Sequence, residues 1–111
     1  MNTATYSPEL TKTEQQQIAQ TILQQLGGNK FLAMTGAKNL FSLTEGGLQM
    51  KIGKNKTSAN RVVITLHNDL YNMTFSRVQV STKNYTCTVT EIARHWGIYD
   101  DMLQDCFTSV T

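Results

Sequence analysis

Between Lys12 and Leu26 the apolar positions follow a helical spacing. Ile18, Ile22 and Leu26 recur at intervals of four, Ala19 and Leu23 sit beside them, and glutamines fill most of the remaining positions. One apolar stripe on a polar cylinder predicts an amphipathic helix over 12–26. Thr11 and Glu14 have the spacing of a capping box, in which the threonine oxygen and the glutamate each satisfy a free backbone N–H. Gly27-Gly28 supplies the stop, since glycine reaches a left-handed conformation without a Cβ clash.

After Gly28 the period shortens to two. Phe31–Thr35 is expected as a first strand, ended by Gly36, and Leu40–Thr44 as a second. Glu45-Gly46-Gly47 predicts a hairpin turn. Leu48, Met50 and Ile52 alternate with polar residues as a third strand. Gly53–Asn60 is polar and predicts a flexible loop. Arg61–His67 is a fourth strand, turned by Asn68-Asp69 into a fifth over Leu70–Val80. In that fifth strand Tyr71, Met73 and Phe75 share one parity, while Val78 and Val80 take the other. A bulge or bend near Ser76-Arg77 reconciles them. Tyr85, Cys87 and Val89 predict a short sixth strand.

No crossover helix separates consecutive strands, so the sheet is expected to be antiparallel. Tyr99, Met102, Leu103, Cys106, Phe107 and Val110 then fall on one helical stripe, with Asp100, Asp101, Gln104 and Asp105 facing away. The fold class expected is α+β: an N-terminal helix, an antiparallel sheet of about five strands, and a C-terminal helix packed on the same face. Residues 1–10 read as a loose segment and 11–111 as a single domain.

Charge changes the picture more than composition does. The 111 residues carry a formal net charge of only +2. Yet residues 30–83 hold eight lysines and arginines against Glu45 and Asp69, whereas residues 84–111 hold Arg94 against four carboxylates. A basic middle and an acidic end point to a partner that prefers the middle. Lys51, Lys54, Lys56 and Arg61 cluster on and around one inter-strand loop. They are the candidate nucleic-acid contacts, with Phe41, Tyr71, Phe75 or Tyr85 as aromatics that could stack bases. The opposing view is that these lysines solubilise a sheet face and blunt its edges.

Candidate chemistry is sparse. His67 and His95 have no partner at metal-ligand spacing, and no nucleophile elbow, phosphate loop or dinucleotide fingerprint occurs. Asp100, Asp101 and Asp105 read as a solvated helix face. The sequence therefore predicts a protein that is not an enzyme and needs no cofactor or metal. Cys87 and Cys106 lie on the apolar parity of their elements and are expected to be reduced and buried. No run of about 18 apolar residues occurs, and the first residues lack the basic and apolar parts of a signal peptide, so a cytoplasmic location is expected. On that expectation the Asn-x-Ser/Thr matches at Asn55, Asn72 and Asn84 are chance.

Glu91–Ile98 (EIARHWGI) has two readings. It resembles the front half of a helix-turn-helix, with Ala93 allowing close helix approach and Gly97 making the turn. Against this, a recognition helix opening with Asp100-Asp101 has the wrong sign for phosphate. The other reading is a loop or short turn before a docking helix.

The segment Gly28–Asn39 (GNKFLAMTGAKN) resembles small uncharacterised proteins encoded by bacteriophages, prophages and other mobile elements. The similarity continues through Arg61–Phe75 and Tyr99–Thr111 and covers about two-thirds of the chain. Such relatives run a few residues further, so a shortened final turn is expected. The resemblance implies a phage-linked origin and assigns no activity and no site residues. Two functions follow: a binding protein that contacts nucleic acid through the basic sheet side, or an accessory factor that binds a host protein, such as an inhibitor of a host defence system. A homo-oligomer is left open and no membrane partner is expected.

Overall fold

The computed structural model describes residues 10–111, so the loose segment expected at 1–10 lies, but for Leu10, outside the described residues. Helix α1 (Lys12–Leu26) begins with the expected box: Glu14 N–H donates to Thr11 Oγ1 at 3.1 Å, and Thr11 N–H to Glu14 Oε1 at 3.0 Å. Its stripe of Ala19, Ile22 and Leu26 is buried.

The next element differs from expectation. Residues 31–35 are not a strand but the body of a second helix, α2 (Gly28–Thr35), closed by Gly36 in the left-handed region. A short unbroken apolar run does not distinguish strand from helix, and Leu32, Ala33 and Met34 are good helix formers. Phe31 alone is buried, meeting the ring of Phe107 edge-on at 4.8 Å, while Met34 is exposed.

Five strands follow: β1 (Lys38–Leu43), β2 (Gly47–Lys51), β3 (Arg61–His67), β4 (Leu70–Ser81) and β5 (Thr86–Ile98). They form one antiparallel meander in sequence order. The β3–β4 turn places Asn68 and Asp69 both at positive φ, as the tight two-residue hairpin requires. A 3-10 turn (Asp100–Met102) leads into α3 (Leu103–Val110).

The expectation of an α+β fold with both terminal helices on one sheet face is met. Helix α1 lies against β1 and β2, α3 lies against β5, and the two helices touch. Leu48, Met50, Val62, Ile64, Met73 and Phe75 rise from the sheet to meet Ile22, Leu26, Leu103 and Phe107 in one core. The opposite face carries no helix among the described residues.

Residues 91–98 overturn both readings of that segment. They are neither a helix-turn-helix nor a loop, because β5 runs unbroken through them to Ile98. Two register shifts against β4 hid the strand by breaking its alternation. The first falls where Phe75 pairs with Ala93 and Ser76 with Glu91, leaving Ile92 as the extra residue. The bulge expected in β4 near Ser76-Arg77 is absent: it sits on the partner strand, and Val78 and Val80 stay on the helix-free side, opposite to Tyr71, Met73 and Phe75 in the core. The second lies near Gly97, whose N–H donates to Asn72 Oδ1 at 3.1 Å.

Beyond Arg77, β4 and β5 continue as a two-stranded arm that outruns β3. Here the cysteine expectation fails for Cys87. It pairs with Val80 on the arm and is exposed, since no second layer reaches it; Cys106 is half-buried. Among the described residues no helix is long and apolar enough to cross a membrane.

Candidate nucleic-acid interface

The meander segregates charge along the strands. The β1–β2 and β3–β4 turns, with Glu45 and Asp69, lie at one end of the sheet, and Asp100 and Asp101 follow β5 at that same end. At the other end Lys38 is the register partner of Lys51, and Lys51 of Arg61. Three cations therefore succeed one another across β1, β2 and β3. Among the described residues the one ion pair is Arg94 with Glu91, so none of the three has a carboxylate within 4.0 Å. Like charges directly opposite on a sheet repel.

Lys51 and Arg61 line a groove of about 290 Å³ on the helix-free face, together with Phe41, Gln49, Asn60, Val78 and Val80. Phe41 is 58% exposed, so its ring is available to a ligand. The Nε of Arg61 is buried and has no hydrogen-bond partner among the described residues.

The four cations singled out from the sequence are not brought together as a set. Lys51 and Arg61 are neighbours on the groove. Lys54 lines a different cleft, with Met34, Thr35 and Phe107. Lys56 stands exposed on the loop. That loop, expected to be flexible, is tied by its own side chains. Asn55 Nδ2 donates to the carbonyls of Gly53 (3.0 Å) and Ala59 (2.6 Å), its Oδ1 accepts from Thr57 N–H at 3.1 Å, and Ala59 is buried.

Lys38 was missed. Counting outward from the Gly46 turn pairs Leu43 with Gly47 and Phe41 with Gln49, which would set Asn39 opposite Lys51. A register shift between Lys38 and Phe41, with Asn39 at φ 54°, puts Lys38 there instead. Of the aromatics considered for stacking, Phe41 lines the groove, whereas Tyr71 and Phe75 are core residues and Tyr85 sits exposed at the far tip of the arm. Another exposed aromatic, Trp96, lies under the Arg94 guanidinium at 5.3 Å on β5.

Comparison with protein-family models, with curated proteins and with solved structures finds no match.

Proposed function

We propose that the chain binds single-stranded nucleic acid on the helix-free face of its sheet, along the groove edged by Lys51, Arg61 and Phe41. The observation that carries this reading is the unbroken row Lys38–Lys51–Arg61, which among the described residues has no carboxylate within 4.0 Å. A protein gains nothing in stability from setting three cations in register, whereas a polyanion turns that repulsion into affinity. An exposed ring beside the cations suits an unpaired base, because only an unstacked base offers its face.

In this reading Lys51 and Arg61 keep the role expected of them and Lys38 joins them. Lys56 flanks the path and Lys54 lies off it. No catalytic step is part of the proposal.

The test is an anisotropy titration of a labelled single-stranded oligonucleotide at low salt. The wild type should bind, and the triple variant Lys38→Gln/Lys51→Gln/Arg61→Gln should bind much more weakly, while Lys54→Gln should bind as the wild type does. Equal binding by the triple variant sinks the proposal. If no oligonucleotide binds at all, a protein partner, such as a component of a host defence system, takes its place.

A further inference from the structure

We propose that two copies of the chain pair edge to edge through β5, antiparallel, about a two-fold axis between Ile92 and Ala93. The starting point is an open edge. β5 is the last strand of the sheet, runs for 13 residues, and has no partner on its outer side among the described residues. Natural edges are blunted with lysine, other charges, proline or bulges. Thr86–Ile98 contains no lysine or proline; it carries two bulges and the opposite charges of Glu91 and Arg94, and is otherwise rich in threonine, valine and isoleucine.

Two-fold pairing demands that residues opposite each other point to the same face. A regular strand cannot meet this about a point between two residues, because neighbours alternate. The bulge at Ile92 removes the obstacle. Ile92 and Ala93 both pack against the core, so both point to the helical side. Glu91 stands opposite Ser76 and Arg94 opposite Thr74, two residues apart on β4, so both point to the open side. Thr90 and His95 oppose Arg77 and Met73 and share the helical side. Val89, opposite Val78, and Trp96, beside Arg94, share the open side. From Val89 to Trp96 the facing pattern of β5 is therefore palindromic about the Ile92–Ala93 bond; the second register shift, near Gly97, ends it there.

The side chains complement one another about that same point. Glu91 and Arg94 are the only acidic and basic residues of β5, histidine aside. Antiparallel pairing about the midpoint sets Glu91 of each copy opposite Arg94 of the other, twice per dimer. It also sets Val89, 52% exposed, opposite Trp96 of the second copy, 64% exposed, covering two apolar residues that the single chain leaves in water. Finally, it runs the arm of one copy, with Lys83 at its tip, toward the end of β5 where Asp100 and Asp101 of the other stand. This is the isologous contact expected of a two-fold dimer, made by strand addition. It joins two five-stranded sheets into one, with a basic groove on each half.

Charge reversal with mixing tests it. Light scattering or sedimentation should find the wild type dimeric at micromolar concentration. Glu91→Lys or Arg94→Glu alone sets like charges opposite each other twice, and should weaken the dimer by roughly 10- to 100-fold. An equimolar mixture of the two single variants should restore a heterodimer, because each lysine and arginine then faces a glutamate. The double variant Glu91→Lys/Arg94→Glu should remain dimeric. The mixing result is the decisive one, since loss of the Glu91–Arg94 pair within a chain would not be repaired by a second chain. A monomeric wild type, single reversals that stay dimeric, or a mixture that stays monomeric would each overturn the proposal. These outcomes do not depend on nucleic-acid binding.

Discussion

Asn60 grips Val78 with both ends of its side-chain amide: Nδ2 donates to the Val78 carbonyl at 2.9 Å, and Oδ1 accepts from the Val78 N–H at 2.8 Å. The Asn60 main-chain N–H meanwhile donates to the Ser76 carbonyl at 2.9 Å. A primary amide carries the same donor and acceptor as a peptide unit. Asn60 thus adds one more rung to the ladder where β3 has not yet begun, and anchors both the Gly53–Asn60 loop and the root of the arm.

Replacing Asn60 by alanine removes two part-buried hydrogen bonds and strands both polar groups of Val78. The expected cost is about 2–4 kcal/mol of unfolding free energy, measured by urea denaturation. Asn60→Asp should do no better, because it turns a second oxygen toward the Val78 carbonyl. A loss below about 0.5 kcal/mol, the size of an ordinary surface change, would show that water replaces the clamp without penalty.

Gly47 makes a second sharp prediction. A Cβ there would run into the Ile64 carbonyl oxygen and come within 3.1 Å of Thr65 Cα, both main-chain atoms of the neighbouring strand. Neither can yield without opening the β2–β3 pairing. Gly47→Ala should cost about 1–3 kcal/mol, as overpacking does, and lower the melting temperature accordingly. An unchanged melting temperature would mean that the two strands are not held so close.

Local patterns in the sequence carried most of this fold, and non-local ones did not. The α1 stripe, its capping box and the β2–β4 strands each depend on residues a few positions apart, so spacing alone revealed them. Phe31–Thr35 misled because four apolar residues in a row have no period; the ring that Phe31 packs against, Phe107, is 76 positions away. Glu91–Ile98 misled because two bulges scrambled its alternation, and their positions are set by β4. The basic character of the site was visible as composition. Which cations meet was not, since Lys51 and Arg61 are matched across a loop of nine residues and Lys38 arrives through a register shift.

The two cysteines should separate cleanly by reactivity. Cys87 is exposed on the arm, whereas Cys106, on α3, is half-buried and burial pushes its thiol pKa up. Thiolate is the reactive form, so Cys106 is slowed both by access and by charge. A thiol reagent at neutral pH should label Cys87 of the native protein quickly and Cys106 slowly, with denaturant removing the difference. Peptide mapping after a short pulse checks the order. Equal rates would place Cys106 in free solvent.

The nucleic-acid proposal can be separated into its electrostatic and stacking parts by salt. Each phosphate contact on a single strand releases counterions and contributes about 0.7 to the slope of log K against log salt. If Lys38, Lys51 and Arg61 each meet a phosphate, removing all three should flatten the slope by about 2. Lys54 faces the cleft beside Phe107 rather than the groove, so Lys54→Gln should leave the slope unchanged. Phe41→Ala should do the reverse of the triple variant. It removes a stacking face worth about 1–3 kcal/mol per base, so affinity should fall by a similar factor at every salt concentration with no change of slope. A Phe41→Ala variant that alters the slope, or a triple variant that lowers affinity without altering it, would mean that the strand runs elsewhere. Anisotropy titrations at four or more salt concentrations distinguish these outcomes, and the wild-type slope fixes how many phosphates the surface engages.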